Sequence, residues 1–227
     1  TVRDIANAME KYAPAVLAEE WDNVGLLVGN YDATVNTVLV GLDCDSKTIA
    51  EAIETHADII ITHHPIMLTP IRSITNATLT GRLILRLIAS KISLFAAHTN
   101  LDSAPGGVND VLAARLGLFN VKDLRASGFE GSARIGEISS QTLAEFEMIV
   151  QDRLGSTVLK RVGNKNKIVK TVGVCGGSGG QMIEGAHKSG CDLLIVGEAK
   201  YSDEQKASEL GLALLEAGHF ETERLIC

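Results

Sequence analysis

"ADIIITHHPI", residues 57–66, runs three isoleucines into two adjacent histidines and a proline. Successive side chains on a strand point to opposite faces, so two neighbouring histidines inside one would serve two environments. At a strand end the backbone turns and both rings can converge on one point. Pro65 supports such an ending, because it lacks a backbone donor and cannot continue a central strand. His63 and His64 therefore belong either to a metal site or to a polar closure of the strand.

The segments around this strand set the fold class. Val2, Ile5, Ala6 and Met9 share one face at helical spacing, which predicts a helix over 1–12. "TVNTVLVGLDC" reads as a strand ending at Asp43, "SKTIAEAIETHA" as an amphipathic helix and "TLTGRLILRLIASK" as another. "ISLFAAHTNLD" is a strand running into polar residues, and "GGVNDVLAARLGL" a helix with Gly117 near its end. Strands alternating with helices imply parallel neighbours joined by crossovers. The pattern weakens over 123–136, which predicts a boundary near 125 between α/β lobes at 1–125 and 126–227. In the second lobe "SQTLAEFEMIVQDRL", "GQMIEGAHKSG" and "SDEQKASELG" read as helices. "TVLKRVG", "IVKTVGVCGG", "CDLLIVGE" and the apolar run from Leu212 read as strands.

Composition agrees. The 227 residues are 45% hydrophobic and only 4% aromatic, so the core rests on Ala, Leu, Ile and Val, which suits α/β layers. The net charge of −7 argues against broad attraction to nucleic acid or anionic membrane. No apolar run approaches the length of a bilayer span. The first thirty residues, with Glu10, Glu19, Glu20 and Asp22, show no signal-peptide pattern. Four widely spaced cysteines without a CxxC pair fit reduced thiols in a cytoplasmic protein. The chain starts at Thr1 without methionine, so a leading residue or tag is expected to be absent, and it stops at Cys227 just after an informative stretch, so its C-terminus is expected to be incomplete.

Four apolar segments end alike. "IIIT" runs into His63 and His64, "SLFAA" into His98 with Asp102 four residues on, "DLLIVG" into Glu198, and "LALLEAG" into His219 with Glu223 four residues on. Open parallel sheets bind ligands outside the carboxyl ends of their strands. Four of the six histidines thus fall where this fold places chemistry, whereas His56 and His187 lie in predicted helices as surface residues. Histidine with carboxylate and no cysteine suits zinc, manganese, iron, cobalt or nickel. A carboxylate using both oxygens can bridge two ions, for which Glu223 is suited. Two further stretches stay open between readings. "GVCGGSGG" (173–180) is either a tight strand–helix turn or an anion cradle. "EEWDNVGLLVG" holds the single tryptophan, either an apolar anchor or part of a substrate-side loop with Asp22 and Asn23.

"WDNVGLLVG", "THHP", "AAHTNLDSAPGGVND", "GGSGG", "EAKY" and "GHFETE" follow the order and spacing of the Nif-three-like proteins, also described as GTP cyclohydrolase 1 type 2 homologues. The resemblance covers nearly the whole chain. It implies two intertwined three-layer α/β/α lobes of similar topology with mainly parallel sheets, assembled as a ring-shaped homohexamer. It also implies two divalent metal ions per chain in a cleft that the C-terminal stretch completes. His64 and Asp102 would hold one ion, His63 and His219 the other, with Glu223 between them and His98 nearby as a catalytic proton carrier. The family often has Asp-x-Lys-Tyr-His where this chain has "EAKYS", so Ser202 replaces a histidine. Relatives also continue past the terminal "TE".

The expected function is a metal-dependent hydrolase acting on a nucleotide or related small molecule, with metal-activated water attacking an electrophilic carbon. The Gly-rich stretch and Lys200 would contact a triphosphate. The alternatives are a metal-binding or metal-delivery protein without turnover and a regulatory interaction protein.

Overall fold

Helix α1 (Val2–Tyr12) begins where its capping signals place it: the Thr1 side chain accepts from the Asp4 amide and Asp4 reaches back to the Thr1 backbone. The structure, a computed structural model, describes residues 1–124, 126, 132–156 and 160–227. Its contacts form two compact units, Thr1–Ala104 with Cys227 and Pro105–Ile226. Residue 125, the expected boundary, lies outside the described residues, as do 128–131 and the first residues of the expected strand "TVLKRVG".

The first unit continues with β1 (Gly25–Val28), β2 (Val38–Gly41), α2 (Ser46–Glu54), β3 (Ile59–Thr62), α3 (Leu79–Ala89), β4 (Ser93–Ala96) and α4 (Thr99–Ser103). Its sheet runs β1-β4-β3-β2. The three strands β2, β3 and β4 are parallel, with Val38, Ile59 and Ser93 in register, and β1 closes the edge antiparallel to β4. Ile60 and Leu94 pack with Ile49 of α2 and with Leu83 and Leu87 of α3 into one core. Burying side chains of this size contributes about 1.5–3 kcal/mol each. The expected strand over 92–102 is in fact a strand and a short helix, because the chain turns at His98 and the His98 carbonyl accepts from the amides of Leu101 and Asp102.

The second unit comprises α5 (Val108–Leu116), β5 (Phe119–Asp123), β6 (Arg134–Thr142), α6 (Leu143–Leu154), β7 (Lys160–Val162), β8 (Ile168–Ser178), α7 (Ile183–Lys188), β9 (Leu193–Glu198), α8 (Tyr201–Glu209), β10 (Ala213–Glu216) and α9 (His219–Glu223). Gly117 ends α5 in the left-handed region (φ 75°), as a glycine after a helix should. Sheet order is β5-β6-β8-β9-β10-β7, parallel through β8, β9 and β10 and antiparallel at both flanks. Alternation along β9 builds three layers. Leu193 and Ile195 join the core beneath α5 and α6, while Leu194 and Val196 join the core with Ile183 of α7 and Ala207 of α8.

Strands β5 and β6 were not expected. All five residues of β5 are exposed, and β6 buries Arg134, Ile135, Gly136 and Ile138 but runs on into the polar Ser139, Ser140 and Gln141, so neither shows a clean alternating pattern. Backbone pairing holds β5 to β6 and β6 to β8, and Ile138 and Ile135 of β6 join the cores on the two sides of the sheet. Cys44, Cys175 and Cys191 are buried, and burial pushes the Cys44 and Cys191 thiols up to about 12. Among the described residues no helix is long and apolar enough to cross a membrane.

Candidate metal centre

In the first unit, the carboxyl ends of β3 and β4 bring His63, His64 and His98 together. One ring nitrogen from each lies within 4.8 Å of the others. Each ring is held by an oxygen acceptor at Nδ1. His63 Nδ1 meets the carbonyl of Ala97 at 2.9 Å, His64 Nδ1 meets Asp43 Oδ1 at 2.8 Å and His98 Nδ1 meets Asp22 Oδ1 at 2.8 Å. A carbonyl only accepts, so Nδ1 of His63 carries the proton and the lone pair of the neutral ring sits on Nε2. The carboxylate partners favour the same tautomer in the other two rings. Metal-binding histidines are oriented this way, with the second nitrogen hydrogen-bonded to a carbonyl or carboxylate.

Asp102 stands one helical turn after His98, on α4, with its Oδ1 3.7 Å from His63 Nε2. Asp22 explains the "WDN" stretch. Its side chain is fully buried and also accepts from the Thr99 amide and hydroxyl. Burial alone would raise this carboxyl, but the hydrogen bonds from His98 and Thr99 outweigh it and bring it down to about 2. Trp21 is 56% exposed and lies edge-on to His98, ring centroids 6.0 Å apart. Asn23 donates to the Met67 carbonyl, tying the loop after His64 to the same stretch.

The second unit repeats the device. His219 follows β10 as His98 follows β4, and Glu223 stands four residues later on α9 as Asp102 does on α4. His219 Nε2 lies 3.1 Å from Glu223 Oε2, and its Nδ1 lies 3.3 Å from Oε1 of Glu198, the last residue of β9. The hydrogen bond to Glu223 raises His219 above the usual histidine value despite burial, and Glu198 adds to it. Ser178 donates to the same Glu198 oxygen at 3.2 Å.

The Gly-rich stretch packs against this pair and is no open cradle. Gly177 has φ 61°, and a Cβ there would collide with Glu223 Oε1 and come within 3.1 Å of His219 Nε2. A Cβ on Gly180 would collide with the Asp203 carboxylate, which also disfavours an anion at that turn. Asn109 of the "GGVND" stretch holds the strand in place, its Oδ1 accepting from the Gly176 amide at 2.8 Å. Thr222 accepts from the Gly177 amide at 3.1 Å.

The donor sets fit divalent first-row metals. Imidazole nitrogens and carboxylate oxygens converge without a thiolate, and bare glycine backbone abuts the second pair. His56 and His187 are exposed and stand away from both clusters in sequence and element. Sequence reasoning did not single out Asp43 as a partner of His64. Its signal was position: two residues past the end of β2, the strand beside β3.

Comparisons with known proteins extend over the whole chain. The family model for Duf34/NIF3 (NGG1p interacting factor 3) matches residues 1–227. A Clostridium perfringens protein named GTP cyclohydrolase 1 type 2 homolog is 37% identical over 226 residues, covering 98% of this chain and 86% of the relative. NIF3-like protein 1 of Drosophila melanogaster is 29% identical, over 97% of this chain and 77% of the relative. Among solved structures, the Staphylococcus aureus hypothetical protein SA1388 superposes with TM-score 0.90 at 29% identity, over 97% of this chain and 86% of that one. Reduced HcgD from Methanocaldococcus jannaschii superposes with TM-score 0.85 at 30% identity, over 99% and 88%. With the whole sequence matched by one family model and both units matched in structure, the chain belongs to the Duf34/NIF3 family.

Proposed function

We propose that this protein is a metal-dependent hydrolase holding two divalent metal ions per chain and acting on a nucleotide or related small molecule. The observation that carries the reading is the repeated strand-end device: histidine followed at i+4 by a carboxylate, after β4 and again after β10. His63, His64 and Asp102 from the first unit and His219 and Glu223 from the second would supply the ligands. When bound, two such ions polarise a substrate oxygen and make water nucleophilic near neutral pH.

The chain's own residues supply the rest. His98 takes and returns a proton at Nε2 while Asp22 holds Nδ1–H and steadies the imidazolium, as a carboxylate-oriented general base requires. Asp43 fixes the ring of His64. The nucleotide class is supported by the name that the relatives carry, GTP cyclohydrolase 1 type 2 homolog. We further place the protein in the cytoplasm as a ring-shaped homohexamer, which light scattering would register as six times the chain mass.

The test is metal content followed by turnover. Protein purified without chelator or added metal should hold about two ions per chain. A panel of nucleotides and phosphoesters with zinc, manganese, iron, nickel and cobalt should then show hydrolysis that Glu223→Gln abolishes with the oligomer intact. Two ions with no turnover across the panel would overturn the enzyme and favour metal delivery, and fewer ions would overturn the dinuclear site.

A further inference from the structure

The first unit contains a cavity of about 570 Å³ at the end of its sheet opposite the histidine cluster. Ser93, which opens β4, lines it, whereas His98 lies five residues on, roughly 16 Å of extended chain away. The volume falls within the ~300–1,000 Å³ of small-molecule sites. Its walls are aliphatic: Leu27 and Val28 from β1, Ile84 and Ile88 from α3, Ile92, and Met67 from the loop after His64.

Three polar residues break this lining, and they gather at one end. Gly29 has φ 137°, and a Cβ there would collide with the Ser93 hydroxyl, with Ser93 Cβ at 2.7 Å. The segment Gly29–Asn30 therefore lies directly on the segment Lys91–Ser93. Lys91 is exposed, takes a left-handed backbone (φ 58°) just past α3, and has no carboxylate partner among the described residues. Ser93 is only 3% exposed, and its hydroxyl makes no hydrogen bond within the described residues. The hydroxyl therefore remains open to a hydrogen bond from a molecule in the cavity, the kind of polar group that orients a ligand in an apolar site. A cation and a buried donor at one end, with a branched aliphatic wall beyond, complement a molecule with an anionic head and an apolar tail.

We propose that this cavity binds a medium-chain carboxylate, its head against Lys91 and Ser93 and its chain along Ile84, Ile88 and Met67. The site is independent of the metal reading. Thermal shift and calorimetric titration of the full chain with decanoate, before and after chelation, test it. Decanoate should raise the melting temperature saturably in both states, with decanol at least tenfold weaker and acetate without effect. Lys91→Ala should weaken decanoate at least tenfold. Ile88→Glu, at a position already 54% exposed, should abolish binding while leaving the circular dichroism spectrum and metal content unchanged. Equal affinity for decanol would overturn the anionic head. Loss of binding on chelation would place the carboxylate at the metal centre instead. No binding, with Ile88→Glu lowering the oligomeric mass, would assign the cavity to a second copy of the chain.

Discussion

Gly177 shows how closely one residue can set the chemistry of another. Its φ of 61° is a region that side chains rarely adopt, and the missing Cβ is the space that Glu223 Oε1 occupies. Gly177→Ala should therefore destabilise the protein by about 1–3 kcal/mol through strain and displacement, and weaken metal binding with it. Thermal melts paired with metal titration would check both, and unchanged metal affinity would separate Gly177 from the site. Asp22 acts on His98 in a comparable way. Asp22→Asn leaves a side chain of the same size with no charge to steady the ring, and we expect activity to fall about 10–100-fold while the fold persists. The rate profile against pH is the diagnostic readout, since only loss of proton handling would reshape it.

At the level of elements, the pH response has an identifiable component in the junction of α5 with β6. Arg134 is buried and meets Asp110 Oδ1 at 2.6 Å, with Asp123 at 3.4 Å. Burial works to raise the Asp110 carboxyl, yet the hydrogen bonds from Arg134 and the Gly106 amide outweigh it, so it lies below the ordinary 3.8. A carboxyl lowered on folding contributes stability that is fully present above the unfolded value near 3.8 and is lost as pH falls through the lower folded-state value. Asp110→Asn should cost about 2–3 kcal/mol at neutral pH, less than the ~3–5 of a fully buried pair because Asp123 remains. The deficit should shrink in acid, where urea melts of both proteins at pH 7 and below 3 would converge. The same scale shows what the sequence made legible. Helices α1 and α5 were readable from local signals, a capping box with apolar spacing in α1 and a terminal glycine in α5, and β3, β4, β9 and β10 because buried strands are nearly all apolar. The clusters at their ends followed from residue type and position. The partners at Nδ1 did not, since Asp43 and Asp22 lie 21 and 76 residues from the histidines they hold. Strands β5 and β6 were silent for another reason: β5 is wholly exposed and held by backbone pairing, and β6 mixes a buried Arg134 and a polar second half with its two core isoleucines.

For the whole molecule, ligand binding and folding are linked. A metal bound only by the folded chain stabilises it by about 2.7 kcal/mol at a hundred times its dissociation constant. Chelation should lower the melting temperature by several degrees, and re-addition should restore it. A melt insensitive to chelator would mean that metal and fold are uncoupled.

The distribution of thiols gives the protein a clock for its own opening. Cys44 lies in the first unit and Cys175 and Cys191 in the second, all buried, with Cys44 and Cys191 held near 12. Only the thiolate attacks a disulfide reagent, so at neutral pH these groups react when their surroundings unfold locally. The labelling rate at Cys44 against that at Cys191 would then time the opening of each unit separately. Equal rates that track global stability would show that the two cores open together, and unequal rates that one half breathes while the other stays shut.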